Sequence, residues 1–150
     1  MKKTIIVMAL AVIVAACGNS EKSTTESLIN PVEKYLAIKD ALVQTDAEAT
    51  QKAAKDFLAA TNNDGLKKVL ETIANSSDVA IQRSAFEKLS ETMYSVVKTN
   101  GADVVLYKQY CPMAFNNKGA YWLAAEQEVN NPYFGDQMLH CGSVQETISQ

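Results

Sequence analysis

Apolar residues recur at three- and four-residue steps in four successive segments between residues 31 and 100, and this spacing predicts four amphipathic helices. The first begins at Asn30-Pro31, with proline at the first helical position, and ends near Gln44. The second begins at Thr45-Asp46-Ala47-Glu48, which has the capping-box pattern, and stops by the turn residues 62–65. The predicted core stripes are Val32, Tyr35, Leu36, Ile38, Leu42 and Val43 in the first helix, and Ala49, Ala53, Ala54, Phe57 and Leu58 in the second.

The third and fourth helices are separated by a short polar turn. Asn75-Ser76 ends the third helix, and Ser77 or Asp78 caps the fourth, which stops at Asn100-Gly101. The predicted core positions are Leu66, Val69, Leu70 and Ile73 in the third helix, and Phe86, Leu89, Met93, Val96 and Val97 in the fourth.

Four such helices joined by short turns predict an all-α fold, an antiparallel four-helix bundle spanning residues 31–150 as one domain. Residues 103–110 alternate between apolar and polar and predict a short extended segment. Because no strand partner is apparent, this segment is expected to pack along the bundle. Residues 110–142 are expected to form an irregular C-terminal loop region docked on the helices.

The first residues have the pattern of a targeting signal. A basic Met1-Lys2-Lys3 precedes an apolar run at 4–14, which is shorter than the ~20 residues of a membrane-spanning helix. A secretory signal over residues 1–16 is therefore predicted. Val14-Ala15-Ala16-Cys17 resembles a bacterial lipobox, after which Cys17 would carry the lipid anchor. The alternative is an ordinary signal peptide that happens to precede a cysteine.

Residues 17–30, which are polar from Gly18 to Ser27, are expected to comprise a lipidated Cys17 and a flexible tether to the domain. Since Gly18 and not an aspartate follows the cysteine, we expect an outer-membrane lipoprotein of the cell envelope, facing the periplasm or the surface. Removing Lys2 and Lys3 from the 14 basic residues leaves 12 against 17 acidic residues, a net charge of −5. This balance argues against a nucleic-acid partner, which requires a basic surface.

The segment from Tyr110 to Gly142 concentrates the chemistry of the chain. It holds Cys111, Met113, Met138 and Cys141, together with His140, the only histidine. Thiolate and thioether ligands suit Cu(I) and Ag(I). Zinc is less favoured, since methionine is a poor zinc ligand and no paired C-x-x-C knuckles occur. The four sulfur residues, with His140 as a supplement, are therefore a candidate soft-metal site.

The same spacing also fits a structural disulfide. A Cys111–Cys141 bridge would close a loop of about 31 residues and stabilise the fold by roughly 3–4 kcal/mol, and the expected compartment is oxidising. Met113 and Met138 would then fill gaps in a small core. A third hypothesis is that the two cysteines alternate between bridge and thiolates; equal Cu(I) affinity of the oxidised and reduced protein would exclude it.

Four blocks in this segment together resemble a bacterial domain of unassigned function. That domain occurs alone in secreted or lipid-anchored proteins, and fused to periplasmic adaptor subunits of copper/silver-type heavy-metal efflux pumps. The resemblance is tight over residues 110–142 and looser over 32–107. The blocks are Cys111-Pro112-Met113-Ala114-Phe115, Gly119-Ala120-Tyr121-Trp122-Leu123, Asn131-Pro132-Tyr133-Phe134-Gly135 and Met138-Leu139-x-Cys141-Gly142.

The resemblance implies a helical bundle with a C-terminal metal-binding loop, whose ligands would be Cys111, Met113, Met138 and Cys141. The expected function is metal buffering, sensing or handover to an efflux adaptor by a lipid-anchored protein. The alternative is an interaction lipoprotein in which the disulfide shapes a binding surface. An enzyme is not expected, because His140 has no orienting partner at a recognisable spacing and the chain shows no phosphate-binding or dinucleotide-binding glycine motif.

Overall fold

The computed structural model describes residues 30–149. The predicted signal peptide, the lipidation of Cys17 and the tether up to residue 29 lie outside these residues. The main elements are the helices α1 (Pro31–Val43), α2 (Ala47–Leu58), α3 (Asp64–Asn75) and α4 (Val79–Asn100), and the strands β1 (Leu106–Cys111), β2 (Ala120–Ala124) and β3 (Ser143–Ile148). No helix within the described range has both the length and the apolar composition needed to cross a membrane.

The four predicted helices are confirmed, and local signals explain where they begin and end. Asn30, Asp46, Asn63 and Asp78 each accept hydrogen bonds from backbone N–H groups of the following first turn. Such N-caps satisfy donors that the helix itself leaves unpaired. α4 ends at Gly101, whose φ of 79° is accessible to glycine at little cost.

The capping box predicted from Thr45 is wrong by one residue. Thr45 lies outside α2 with a φ of 57°. The N-cap is Asp46, whose Oδ1 accepts from the backbone N–H of Ala49 at 2.9 Å. The aspartate carboxylate therefore takes the role expected of the threonine hydroxyl.

The predicted all-α fold is wrong, because the C-terminal third forms a three-stranded antiparallel sheet in the order β2-β1-β3. The extended segment that was expected to pack alone on the bundle is the central strand of this sheet. It pairs with β2 through Lys108–Leu123 and with β3 through Leu106–Ile148. Both partners lie later in the chain, so a local pattern did not reveal the ladder.

One face of the sheet packs against the helices. The hydroxyl of the fully buried Tyr35 in α1 lies 2.8 Å from Ser90 Oγ in α4 and accepts from the backbone N–H of Leu123 in β2 at 3.0 Å. Burial raises the pKa of this phenol. The Tyr35 ring stacks on Phe86 with centroids 5.1 Å apart. Tyr35 thus joins two helices to the sheet, and Met93, predicted to be core, is fully buried among them.

Candidate metal centre

The other face of the sheet carries the cysteine of β1. Gln109 pairs with Trp122 across the sheet, and Cys111 follows Gln109 by two residues, so these side chains share a face. Gln109 Nε2 donates to the carbonyl oxygens of residues 126, 127 and 128 at 2.9, 3.3 and 3.0 Å. The long connection from β2 to β3, residues 125–142, therefore lies over this face and brings its own cysteine to it.

The two cysteines of the predicted site meet at one end of the sheet. Cys111 is the last residue of β1 and is fully buried, whereas Cys141 precedes β3 and is half-buried. Their Sγ atoms lie 2.7 Å apart, with no covalent bond between them in the structure. The structure therefore brings together the two residues on which the metal and disulfide hypotheses both depend.

Strand register explains how Cys141 reaches this position. Ser143 pairs with Tyr110, so continuing the antiparallel ladder by one residue places Gly142 opposite Cys111. Gly142 has a φ of 144°, and a Cβ built on it would lie 2.8 Å from the Tyr110 carbonyl oxygen. The close passage of the two backbones requires glycine here and leaves Cys141 just beyond the strand end.

Met113 lies beside Cys141 through its backbone. Its backbone N–H lies near the Cys141 sulfur and acts to lower the pKa of that thiol, while its side chain is 47% exposed. The Met113 backbone therefore lies next to the thiol pair, and the Met113 thioether side chain is open to solvent. Cys111 is fully buried. The predicted ligands therefore range from the inaccessible Cys111 to the solvent-accessible Met113.

The residues after Met113 form a left-handed turn. Phe115, Asn116 and Asn117 have φ values of 52°, 56° and 67°. This conformation costs roughly 1–2 kcal/mol per ordinary residue, less for asparagine. Phe115 is held by an edge-to-face contact with Tyr133, with ring centroids 5.2 Å apart. Strain of this kind clusters at functional sites, and here it adjoins the Cys-Pro-Met element.

Met138 and His140 lie on the turn that leads to Cys141. Met138 follows the 3₁₀ turn Gly135–Gln137 and has an extended φ of −148°, and its carbonyl accepts from the Cys141 N–H at 3.0 Å. The exposed His140 has its Nδ1 2.8 Å from the Val129 carbonyl oxygen. When Nδ1 carries the proton and donates this bond, Nε2 keeps its lone pair.

The environment of Cys141 favours the protonated thiol. Its hydrogen bond with Cys111 is the largest cause that raises the pKa, followed by burial and the charge of Cys111, while the Met113 N–H lowers it in part. A metal that takes Cys141 as a thiolate must therefore displace a proton.

Zinc and the soft ions Cu(I) and Ag(I) require different donor sets. Among the residues that the structure describes, no three or more His, Cys, Asp and Glu side chains gather in one place. Structural zinc usually takes four ligands of these types. Two convergent thiols flanked in sequence by Met113 and Met138 match the sulfur set preferred by Cu(I) and Ag(I).

Sequence reasoning missed two residues that build this site, Gln109 and Asn131. Both are fully buried polar residues with hydrogen bonds to the connection over residues 125–142. A glutamine beside Lys108 in a strand of mainly apolar and aromatic residues, and an asparagine before a proline, were the available signals. Neither signal identifies its partners, because these lie 10–19 residues further along the chain.

Comparison with known proteins found a family match in the helical part of the chain. Residues 32–104 match a family described as a protein of unknown function (DUF3347). This range covers α1–α4 and stops before β1 and the cysteines. No curated protein and no solved structure matches the chain. Over its helices, the chain is therefore similar to an uncharacterised domain family.

Proposed function

We propose that this protein binds a soft monovalent metal ion, Cu(I) or Ag(I), with Cys111 and Cys141 as thiolate ligands. The observation that carries the proposal is the 2.7 Å separation of the two sulfur atoms, which come from different segments of the chain. Sulfur ligands in a partly closed site discriminate against the hard cations that prefer oxygen. Met113 and Met138 supply thioethers, and His140 is a supplementary ligand.

The role that fits such a site is metal buffering, sensing or handover to a heavy-metal efflux adaptor in the cell envelope. The graded exposure supports handover, since the Met113 side chain is exposed whereas Cys111, two residues earlier, is buried. Bound metal would join the two thiolates, and the protons of the thiols would be released to solvent. The protein's own part is to hold the two sulfurs together and shield one of them.

A titration of the reduced full chain in mild detergent, without oxygen, tests this proposal. Cu(I) added against a competing chelator is expected to bind one-to-one. Cys111→Ser should weaken binding by more than about 100-fold and Met138→Leu by about 10-fold. Met93→Leu is the matched control, because Met93 is fully buried in the helical core. The Cu(I) affinity of this variant should equal that of the wild type. Failure of the wild type to compete with the chelator would reject the metal site.

The same sulfur distance also favours a second candidate, an interaction lipoprotein with a structural Cys111–Cys141 disulfide. Mass spectrometry of protein taken from the periplasm, with free thiols blocked during lysis, separates the two. A complete bridge together with no Cu(I) competition by the reduced protein supports the disulfide candidate. Free thiols support the metal site.

Anchoring through Cys17 is the proposed route to the envelope. Cells fed an alkyne-tagged fatty acid should label the wild-type protein, and Cys17→Ser should abolish labelling and release the protein from the membrane fraction. Two or more acyl chains would be needed for such stable attachment. Equal labelling of the Cys17→Ser variant would show that the lipid is attached elsewhere.

A further inference from the structure

Asn131 is a buried residue with four hydrogen bonds around the loop that carries Cys141. It is fully buried. Its backbone N–H donates to the Leu139 carbonyl at 2.8 Å, and its own carbonyl accepts from the Gly135 N–H at 2.9 Å. Its side-chain Oδ1 accepts from the Tyr133 N–H at 2.8 Å, and its Nδ2 donates to the Cys141 carbonyl at 2.8 Å.

These bonds tie the two ends of the loop 131–141 to each other. Cys141 precedes β3, and the ladder register begins only at Ser143. Its N–H is held locally by the Met138 carbonyl. The Asn131 amide holds its carbonyl from ten residues away. The amide therefore fixes the cysteine backbone from which the Sγ atom points toward Cys111.

We infer that Asn131 is a positioning residue that holds Cys141 against Cys111 and so tightens soft-metal binding by the pair. This inference rests on the proposed function for its metal consequence. The positioning itself concerns only the two thiols and can be measured without metal. Groups behind the direct ligands typically change metal affinity 10- to 100-fold.

The chemistry at this position calls for one donor and one acceptor on a short planar group. Asparagine provides both, since its oxygen faces the Tyr133 N–H and its nitrogen faces the Cys141 carbonyl. Aspartate has nearly the same shape and keeps the acceptor, but it turns a second oxygen toward the carbonyl. Asn131→Asp therefore removes the bond to Cys141 and retains the bond to Tyr133.

The thiol–disulfide equilibrium with glutathione tests the inference directly. In a Cys17→Ser background of the full chain, Cys111 and Cys141 are the only thiols. The reduced pair passes two electrons to glutathione disulfide, forming the protein S–S bond and two molecules of glutathione. The equilibrium constant measures how well the protein holds the two sulfurs together. It is expected to fall by up to about tenfold in Asn131→Asp and Asn131→Ala, the equivalent of one lost hydrogen bond.

The matched control is Asn130→Ala, at the half-buried neighbouring position, which should leave the equilibrium constant unchanged. Circular dichroism identifies conditions in which each variant is folded; Asn131→Ala, which removes the amide without burying a charge, serves if Asn131→Asp does not fold. A lowered melting temperature with an unchanged equilibrium constant in the folded protein would show a merely structural role and overturn the inference.

Cu(I) affinity is measured on the same variants and should fall about tenfold. If the wild type binds no Cu(I), the proposed function is rejected. The glutathione equilibrium still tests whether Asn131 positions Cys141.

Discussion

Gln109→Glu is expected to destabilise the protein by about 3–5 kcal/mol at neutral pH, the cost of an uncompensated buried charge. Gln109 is fully buried in the central strand, and its Nε2 donates to the carbonyl oxygens of residues 126–128. Glutamate replaces that donor with a carboxylate oxygen that faces three acceptors. The other carboxylate oxygen would also lack a hydrogen-bond donor, because Gln109 Oε1, whose place it takes, has no hydrogen-bond partner among the described atoms.

The pH dependence of this variant follows from the same geometry. Burial beside carbonyl oxygens raises the pKa of the introduced carboxyl above its unfolded value of about 4.3. The folded state then binds more protons than the unfolded state between the two pKa values. The destabilisation is therefore smallest below pH ~4 and grows as the pH rises through the raised pKa.

Urea unfolding of wild type and variant at several pH values measures this effect. Gln127→Glu is the matched control, because Gln127 is exposed on the same loop, and its free energy of unfolding should change by less than about 0.5 kcal/mol. A Gln109→Glu variant as stable as wild type at pH 7 would mean that the amide does not hold the loop.

Gly142→Ala is expected to lower the free energy of unfolding by about 3 kcal/mol, from a strained backbone and an overpacked contact together. The φ of 144° disfavours any residue with a Cβ, and the added methyl would lie 2.8 Å from the Tyr110 carbonyl oxygen and 3.2 Å from the Trp122 ring. Backbone cannot yield as a flexible side chain can. The strand end must therefore move, and Cys141 moves with it.

Gly101→Ala separates the two causes. Gly101 also has a positive φ, 79°, but a Cβ there would meet nothing within 4 Å, so only the backbone cost, on the order of 1–2 kcal/mol, remains. Chemical denaturation measures the loss in free energy of unfolding for each variant. The extent of disulfide formation between Cys111 and Cys141 shows whether Gly142→Ala has moved Cys141 away from Cys111. Equal losses for the two variants would show that the contact with Tyr110 does not constrain the loop.

Local sequence patterns were sufficient to predict the four helices of this protein. Asn30, Asp46, Asn63 and Asp78 precede apolar stripes of helical period, and each caps a helix in the structure. Caps and stripes act within a few residues, so a local pattern contains the information they need. The sulfur-rich segment was also visible in the sequence, because composition alone separates residues 110–142 from the helices.

The sheet and the proximity of the two sulfur atoms depend on contacts between distant segments of the chain. β1 takes as its partner a strand whose Ile148 lies 42 residues beyond Leu106, and such a ladder depends on which segments the folded chain brings together. Ser143–Ile148 has only two apolar residues, Val144 and Ile148, and even a clear strand pattern does not specify its partner. The 2.7 Å between Cys111 and Cys141 depends likewise on the sheet register, the close passage at Gly142 and the side chain of Asn131. These are contacts between distant segments, which spacing along a chain does not specify.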